Sequence, residues 1–304
     1  MKLPVILLAS MLFCSSGAYA QNAKQEKQAK AYMVADAHLD TQWNWDIQTT
    51  IKEYVWNTLS RNLFLLKKYP DYVFNFEGGV KYAWMKEYYP TEYEQLKSFI
   101  SSGRWHISGS SWEASDVLVP SVESSIRNIL LGQEYYRQEF GVESTDIFLP
   151  DCFGFGWTLP TIANHCSLIG FSSQKLDWRV NPFYGKSKHP FTIGLWQGVD
   201  GSSIMLAHGY DYGKRWKDVD LSGDEELLKL AGRTPLNTVY RYYGTGDTGG
   251  SPTLGSVNSV EKGIKGNGPL EIISATSDQL FKDYLPYDKH PELPVFNGEL
   301  LMDV

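Results

Sequence analysis

Two residues near the start of the sequence have the types and the spacing of metal ligands. His38 and Asp40 stand two residues apart, and in an extended segment that spacing puts both side chains on the same side. One imidazole nitrogen and one carboxylate suit Zn²⁺ or a similar divalent metal. The pair is also typical of a His and an Asp that share a hydrogen bond at the end of a strand. The sequence therefore offers a metal site here as a hypothesis.

Asp151 and Asp247 are two further carboxylates in settings that suit a ligand. Asp151 follows an apolar run and precedes Cys-Phe-Gly-Phe-Gly, where glycines permit close approach of a ligand, although the residue could equally cap a helix. Asp247 lies in the glycine-rich segment 244–252, which lacks the Gly-Lys-Ser/Thr ending of a phosphate-binding loop. An Asp-stabilised turn is the plain interpretation of that segment. A thiol nucleophile at Cys152 is disfavoured because no His stands at a diagnostic position.

The elements that must position these residues alternate between strands and helices. Apolar runs predict strands at residues 31–35, 72–76, 105–107, 147–149, 203–207 and 270–274. Periodic apolar residues and end signals predict helices at residues 51–66, 91–103, 121–141, 224–231 and 277–284. This order predicts an α/β fold with a mostly parallel sheet covered by helices, either closed or open. His38, Asp40 and Asp151 fall at the C-terminal ends of strands, where such folds carry out their chemistry.

The composition excludes some classes of protein. The 304 residues carry a formal net charge of −7, which argues against a nucleic-acid partner, since phosphate backbones are bound by basic faces. A hydrophobic content of 42% with 21% charged residues excludes wholesale disorder. Aromatic residues make up 14% of the chain, and some of them must line a cleft or lie on the surface. Sugar-handling proteins have such a composition, and so do many proteins with aromatic-rich cores. Cys152 and Cys166 could form a disulfide in an oxidising compartment, but two buried thiols are the simpler interpretation.

The first 20 residues have the features of a signal peptide. Lys2 precedes an apolar run at 3–13, and Ala-Tyr-Ala at 18–20 fits a small-x-small cleavage site. We therefore expect a protein exported to the periplasm or secreted, with a polar lead-in at 21–31 and one domain over 32–304. No other segment approaches 18 apolar residues, so the sequence predicts no transmembrane segment.

Several segments, taken in order, resemble the N-terminal catalytic domain of glycoside hydrolase family 38, the class II α-mannosidases. The matching segments lie at 38–43 (H-x-D-x-x-W), 102–105 (around G-R-W), 112–116 (W-x-E-x-D), 120–133, 149–154, 174–178, 196–202 and 246–253. The resemblance covers residues 32–304, and its specificity comes from the order of the segments rather than from any one of them.

This resemblance implies a parallel-stranded (β/α)7-type barrel with helices outside, and a metal-dependent retaining α-mannosidase that hydrolyses terminal α-mannosyl linkages of glycans. It implies that His38, Asp40 and Asp151 bind zinc, that Asp151 is also the nucleophile, and that Asp247 is the candidate acid/base. Trp43 would form a platform under the sugar. The remaining implied substrate contacts are Trp112, Glu113, Asp116 and Lys175.

The residue types are consistent with that chemistry. A retaining glycosidase needs one carboxylate that attacks C1 and one carboxyl that protonates the leaving oxygen and then activates water. Asp151 would therefore be ionised at the start of the reaction, and Asp247 protonated.

One part of the family pattern is missing. The family takes a fourth zinc ligand, a His, from a position downstream of the Asn297-Gly298-Glu299-Leu300 segment, and His290 lies before that segment. We therefore expect a truncated form, without the downstream helical and β domains, that has reduced activity or none.

Two alternatives to the α-mannosidase stay open. One is a metal-dependent polysaccharide deacetylase with water as nucleophile, which the segments around Glu113 and Asp247 disfavour. The other is a non-catalytic mannoside-binding remnant.

Overall fold

A computed structural model of the chain describes residues 28–177 and 190–301. The predicted signal peptide, most of the polar lead-in and Trp178 of the 174–178 segment lie outside the described residues. The strands are β1 (Ala29–Ala37), β2 (Phe74–Glu77), β3 (Trp105–Ser108), β4 (Asp146–Phe148), β5 (Gly170–Ser173), β6 (Ile193–Gln197), β7 (Ser203–His208), β8 (Thr238–Thr245), β9 (Leu270–Ser274) and β10 (Val295–Asn297). The helices are α1 (Ile47–Thr49), α2 (Trp56–Lys68), α3 (Gly79–Tyr88), α4 (Pro90–Ser101), α5 (Val122–Phe140), α6 (Leu159–His165), α7 (Glu225–Ala231), α8 (Leu254–Lys265) and α9 (Gln279–Asp283).

The strands form two five-stranded sheets. The first has the order β3-β2-β1-β8, with β9 beside the first half of β1, and every pair in it is parallel. The second has the order β10-β6-β7-β5-β4 and is parallel except where β6 runs antiparallel to β7. The predicted α/β class with a mostly parallel sheet is confirmed.

The predicted (β/α)7 barrel is not seen as one closed sheet in the described part of the chain. The two sheets meet at two seams, and no ladder of paired residues crosses either seam in residues 28–177 and 190–301. One backbone bond links the β3 side to β4, from Ser110 N to Asp146 O at 3.1 Å, and another links β7 to β8, from Tyr242 N to Gly209 O at 2.8 Å. The strands at the first seam are short, since β3 has four residues and β4 has three.

Alternation along β1 explains how the core is divided. Ala31 and Met33 face the helices and pack with residues such as Leu63 of α2, whereas Tyr32 and Val34 face the space between the two sheets. Because successive strand side chains point to opposite faces, both faces of β1 are buried. This burial on both faces fixes the position of Ala37, the last residue of β1, and so of the segment that follows it.

Most predicted elements are confirmed, with shifts of a few residues at their ends. The predicted helix at 51–66 is α2, preceded by a wider helical turn at Thr50–Val55. The predicted helix at 121–141 is α5, with the Ser121 side chain accepting a hydrogen bond from Ser124 N and Gly141 ending it in the left-handed conformation. Helical spacing along 121–141 predicts that Leu130 faces inward, but this prediction is wrong, because the residue is 57% exposed.

No helix in residues 28–177 or 190–301 is both long and apolar enough to cross a bilayer. Cys152 and Cys166 are both free thiols. The Cys152 thiol donates a hydrogen bond to Ser115 O at 3.2 Å, and burial raises its pKa to about 12, so it stays protonated at neutral pH.

Candidate active site

The C-terminal ends of β1 and β8 bring His38, Asp40 and Asp247 together. These strands are parallel neighbours, with Ala37 opposite Thr245, so the segments that follow them leave the sheet at the same edge. Two backbone bonds hold the segments side by side, from Asp40 N to Asp247 O at 2.8 Å and from Gly249 N to His38 O at 3.0 Å. The predicted position of His38 and Asp40 at a strand end is confirmed.

His38 is buried between two carboxylates. Its Nδ1 lies 2.8 Å from Glu77 Oε1 and its Nε2 lies 3.3 Å from Asp40 Oδ1. Burial of the ring disfavours protonation, but the Asp40 and Glu77 carboxylates outweigh it and raise the pKa of His38 to about 10. The Nε2 contact is not aligned as a hydrogen bond, so this buried nitrogen has no hydrogen-bond partner among the described residues.

A buried chain of alternating charges supports His38 from behind. Lys81 is fully buried, and its Nζ lies 2.9 Å from Glu113 Oε1 and 3.7 Å from Glu77 Oε1. Burial opposes the ionised form of Glu77, yet the Lys81 and His38 charges hold its pKa below the usual value. Burial likewise opposes the charge on Lys81, and Glu113 and Glu77 raise the pKa of that ammonium. The orientation of His38 is therefore fixed through Glu77.

A cleft of about 550 Å³ opens above these strand ends. It is lined by Asp40, Gln42, Trp43, Asp151, Phe153, Lys175, Asp211, Tyr212 and Asp247. Of the predicted site residues, five line the cleft, namely Asp40, Trp43, Asp151, Lys175 and Asp247, and His38 lies beneath Asp40.

Asp151 is held at the cleft by a lysine and a tyrosine. Lys175 Nζ lies 2.8 Å from Asp151 Oδ1 and 4.8 Å from the centre of the Phe153 ring. The Tyr212 hydroxyl lies 3.1 Å from Asp151 Oδ1 and also 3.1 Å from Asp247 Oδ1. Burial, followed by the charges of Asp151 and Asp247, raises the pKa of Tyr212 far above its usual value, so its single hydroxyl proton stays on the phenol. Tyr212 therefore joins the two carboxylates.

A glycine permits this contact. A Cβ atom on Gly246 would stand 2.1 Å from the Tyr212 ring, so any other residue there would displace the ring. Asp247 itself has a φ of +58°, in the left-handed region that an Asp adopts more readily than most residues. The loop conformation and the tyrosine are thus fitted to one another.

The other predicted substrate contacts lie away from the cleft lining. Trp112 packs edge-on against Tyr135, with 5.5 Å between the ring centres. Glu113 is paired with Lys81 and accepts a hydrogen bond from the Thr41 hydroxyl. Asp116 closes a turn by accepting hydrogen bonds from Leu118 N and Val119 N at 2.7 and 3.1 Å. Glu113 is thus connected to the site indirectly, by its contacts with Lys81 and Thr41, whereas Asp116 contacts only backbone groups of its own turn among the interactions described.

The donor set for a metal is only partly assembled. Within residues 28–177 and 190–301, no three His, Cys, Asp or Glu side chains come together as a metal-binding group. His38 Nε2 and Asp40 Oδ1 are of the kind that zinc takes, and the unpartnered nitrogen fits such an ion. The Oδ1 atom of Asp151, by contrast, is engaged by Lys175 and Tyr212.

Sequence reasoning missed Glu77, Lys81, Asp211 and Tyr212. Glu77 directly follows the predicted strand at 72–76 and precedes Gly78, the same kind of signal that singled out Asp40 and Asp151. Tyr212 follows shortly after the end of β7, so the rule that ligands bind beyond strand ends could have found it. Lys81 had no such signal, since it lies inside a helix that was not predicted.

The fold and the site together define an α/β protein with an acidic cleft at the C-terminal ends of parallel strands. A model of the glycosyl hydrolases family 38 N-terminal domain matches residues 28–299. Because the match covers most of the sequence, the chain belongs to this family.

Curated proteins that are similar to this chain are named alpha-mannosidases. Alpha-mannosidase G of Dictyostelium discoideum is 31% identical over 285 residues, which cover 92% of this chain and 25% of that protein. Alpha-mannosidase 2C1 of Homo sapiens is 29% identical over 286 residues, which cover 92% of this chain and 26% of that protein. The chain thus spans about a quarter of the length of these relatives.

Two solved structures share the fold. An alpha-mannosidase from Enterococcus faecalis V583 has a TM-score of 0.69 at 19% identity, over 90% of this chain and 31% of that one. A candidate polysaccharide deacetylase from Mycobacterium smegmatis has a TM-score of 0.55 at 13% identity, over 90% of this chain and 95% of that one. At such low identities these two likenesses establish the fold alone.

Proposed function

We propose that this chain is the catalytic part of a retaining glycoside hydrolase that releases mannose from terminal α-mannosyl linkages of glycans. Family membership and the names of the relatives support the substrate class. One observation carries the reaction type: Asp151 Oδ1 and Asp247 Oδ1 each lie 3.1 Å from the Tyr212 oxygen, so they are at most about 6.2 Å apart. Carboxyl groups of retaining glycosidases lie about 5–5.5 Å apart, and those of inverting enzymes about 6.5–9.5 Å.

The two carboxylates take different roles in this proposal. Asp151 attacks the anomeric carbon and forms a glycosyl-enzyme, since Lys175 gives its carboxylate a positive partner at 2.8 Å. Asp247 donates a proton to the leaving oxygen and then accepts one from the attacking water. Trp43, with its side chain 61% exposed at the cleft, supplies an apolar face for the sugar ring. Lys175 lines the same cleft, while substrate contacts by Trp112, Glu113 and Asp116 stay predictions.

We also propose Zn²⁺ or another divalent metal as the cofactor, held by His38, Asp40 and Asp151. The unpartnered Nε2 of His38, facing the Asp40 carboxylate at 3.3 Å, supports this assignment. Ligation by Asp151 requires its present contacts with Lys175 and Tyr212 to rearrange, or its second oxygen to serve. Such an ion, when bound, would act as a Lewis acid toward sugar hydroxyls. His38 would remain oriented by Glu77, as metal-ligating histidines commonly are by a carboxylate.

Three further proposals concern the chain as a whole. The two sheets and their seam bonds would form the strand ring of a (β/α)7-type barrel. Residues 1–20 would direct export to the periplasm or beyond. The activity of the whole protein is the third proposal, because this chain covers about a quarter of the length of the relatives named alpha-mannosidases.

The polysaccharide deacetylase is kept as the second candidate, since a structure of that description shares the fold over 90% of this chain. It would use water as nucleophile and release acetate. The Asp151 and Asp247 carboxylates, which Tyr212 joins, favour the glycosidase, because a retaining glycosidase requires two carboxyl groups at about that separation.

The experiment uses an aryl α-mannoside and an acetylated polysaccharide, with and without chelator. We expect mannose to be released first as its α-anomer, as followed by NMR before mutarotation, and we expect chelator to stop the release. Release of the β-anomer would reject the retaining mechanism. Acetate without mannose would establish the deacetylase, and mannoside binding without either product would establish a binding protein. Full activity in chelator, with no metal found by elemental analysis, would reject the cofactor.

A further inference from the structure

A second cavity lies behind the loop that carries Asp247. It has a volume of about 490 Å³ and lies between α2, which contributes Arg61 and Phe64, and the loop at 249–253. Arg215 completes the wall. The loop therefore has two faces, one toward the cleft through Asp247 and one toward this cavity through Gly249 and the residues after it.

The charge of this cavity differs from that of the protein. Arg61 and Arg215 line it, and no Asp or Glu does so in the described part of the chain. Neither arginine forms an ion pair with any described residue, although the whole chain has a net charge of −7. Both arginines are exposed, and an anion held between two like charges would reduce their repulsion, so the pair favours an anionic ligand.

The walls of the cavity are fixed by buried side chains of α2. The Thr58 hydroxyl accepts a hydrogen bond from Gly250 N at 2.8 Å, and Asn62 Nδ2 donates one to Gly250 O at 2.8 Å. Gly250 has a φ of +113°, a conformation that only glycine adopts without strain. A ligand would thus meet a preformed surface and would not have to order the loop on binding.

We propose that this cavity binds a tetrahedral oxyanion of the phosphate or sulfate class, free or as an ester on a glycan. Guanidinium groups bind such oxyanions through paired N–H donors, and an ammonium offers no equivalent fork. Phe64, with its side chain 55% exposed at the rim, gives apolar surface to the organic part of an ester. The site does not depend on the proposed hydrolase activity.

Calorimetric titration of the full chain with inorganic phosphate tests the site. We expect saturable binding that Arg61→Gln and Arg215→Gln each weaken roughly tenfold and that the double variant loses. Arg127→Gln is the matched control, since it removes the same charge from an exposed position of α5 that does not line the cavity. Added sodium chloride should weaken the binding, because salt screens exposed charges. Wild-type protein without saturable phosphate binding, or a double variant that binds as well as wild type, would overturn the proposal.

A second titration separates the two sources of the anion. Tighter binding of mannose 6-phosphate than of inorganic phosphate would identify an ester on a sugar, and equal binding would identify a free oxyanion; both results support the site. Mannose 6-phosphate that binds the double variant as tightly as wild type would contradict it, and uncharged mannose, measured in both proteins, gives the binding in the Asp151 cleft for comparison. Because every measurement is of binding, a failed hydrolase assay leaves the outcome unaffected.

Discussion

Asp151 and Asp247 reach the same cleft from two regions that hold their carboxylates in different ways. The Asp151 segment continues directly from β4 and is bonded to the neighbouring parallel strand, through Leu149 N to Ser172 O at 3.1 Å and Gln174 N to Pro150 O at 3.3 Å. The Asp247 loop leaves β8 through a left-handed residue and is held by side chains of α2. One carboxylate is thus fixed by the sheet and the other by a loop.

The partners of the two carboxylates differ as well. Asp151 has the buried ammonium of Lys175 at 2.8 Å, whereas the Asp247 side chain contacts the neutral phenol of Tyr212 and, among the described residues, no cation. A fixed carboxylate with a cation suits attack on carbon, and a loop-borne carboxylate beside a neutral donor suits proton transfer. The comparison therefore assigns two roles to two residues of the same type.

Asp151→Asn should have the largest effect. Loss of the nucleophile removes the covalent step, so we expect turnover of every mannoside to fall by at least about 10⁴-fold. Rates on an aryl mannoside and on a disaccharide measure it. Asp288→Asn, an exposed carboxylate remote from the cleft lining, is the control and should change neither rate. A variant that still cleaved one substrate at more than about 10⁻² of the wild-type rate would contradict the role of Asp151.

Asp247→Ala should divide substrates by their leaving group. An activated aryl group needs little protonation, so its release should fall by about tenfold or less, whereas disaccharide hydrolysis should fall by roughly 10²–10⁴-fold. The ratio of the two kcat/KM values measures the effect. Equal losses on both substrates would mean that Asp247 positions the substrate and does not donate the proton.

The sequence predicted the parts of this site that depend on local patterns. Short apolar runs located β1 and β4, and the polar residues after those runs, His38, Asp40 and Asp151, do lie at the carboxyl edge. Helix α2 was predictable because its apolar residues recur at helical spacing. Such signals are contained within a few residues of one another.

The remaining parts depend on pairing between distant segments. β8 was not predicted as a strand, because both of its faces are buried and Arg241 interrupts the apolar run, so no alternation marks it. Tyr212 meets Asp151 and Asp247 only because β5, β7 and β8 are neighbours in space. The exposed Leu130 shows the converse error, since its helical spacing fits an inward face although the residue is 57% exposed.

His38→Gln should change how the stability of the metal-free protein depends on pH. The Asp40 and Glu77 carboxylates outweigh burial and raise the pKa of His38 in the folded state to about 10, above the value near 6.5 of an unfolded chain. The resulting stability is fully present below about pH 6.5 and is lost as pH rises through 10. Urea unfolding in chelator should show a loss on the order of a few kcal/mol in wild type, and a smaller one in the variant.

The control for this measurement is His290→Gln, which removes a half-buried imidazole that lies 3.1 Å from the Glu292 carboxylate and edge-on to the Tyr284 ring. That variant should follow the wild-type pH profile. If His38→Gln shows the wild-type pH profile as well, the His38 ring carries no positive charge between Asp40 and Glu77 in the folded protein.

Thr58→Val should have the smallest effect, and it separates the loop from the Asp151 segment. The Thr58 hydroxyl accepts from Gly250 N at 2.8 Å and donates to Tyr54 O at 2.7 Å, and valine keeps the shape while leaving the loop amide without that partner. We expect a loss of about 1–3 kcal/mol in the free energy of unfolding. Because the loop carries the acid, disaccharide hydrolysis should fall several-fold while aryl mannoside hydrolysis changes little.

Thr234→Val is a matched control, since Thr234 is also buried and bonds backbone groups on both sides, and it does not line the cleft. It should cost similar stability and leave the ratio of the two rates unchanged. A ratio that moved equally in both variants would show that general loosening of the fold, and not the anchoring of the Asp247 loop, controls proton donation.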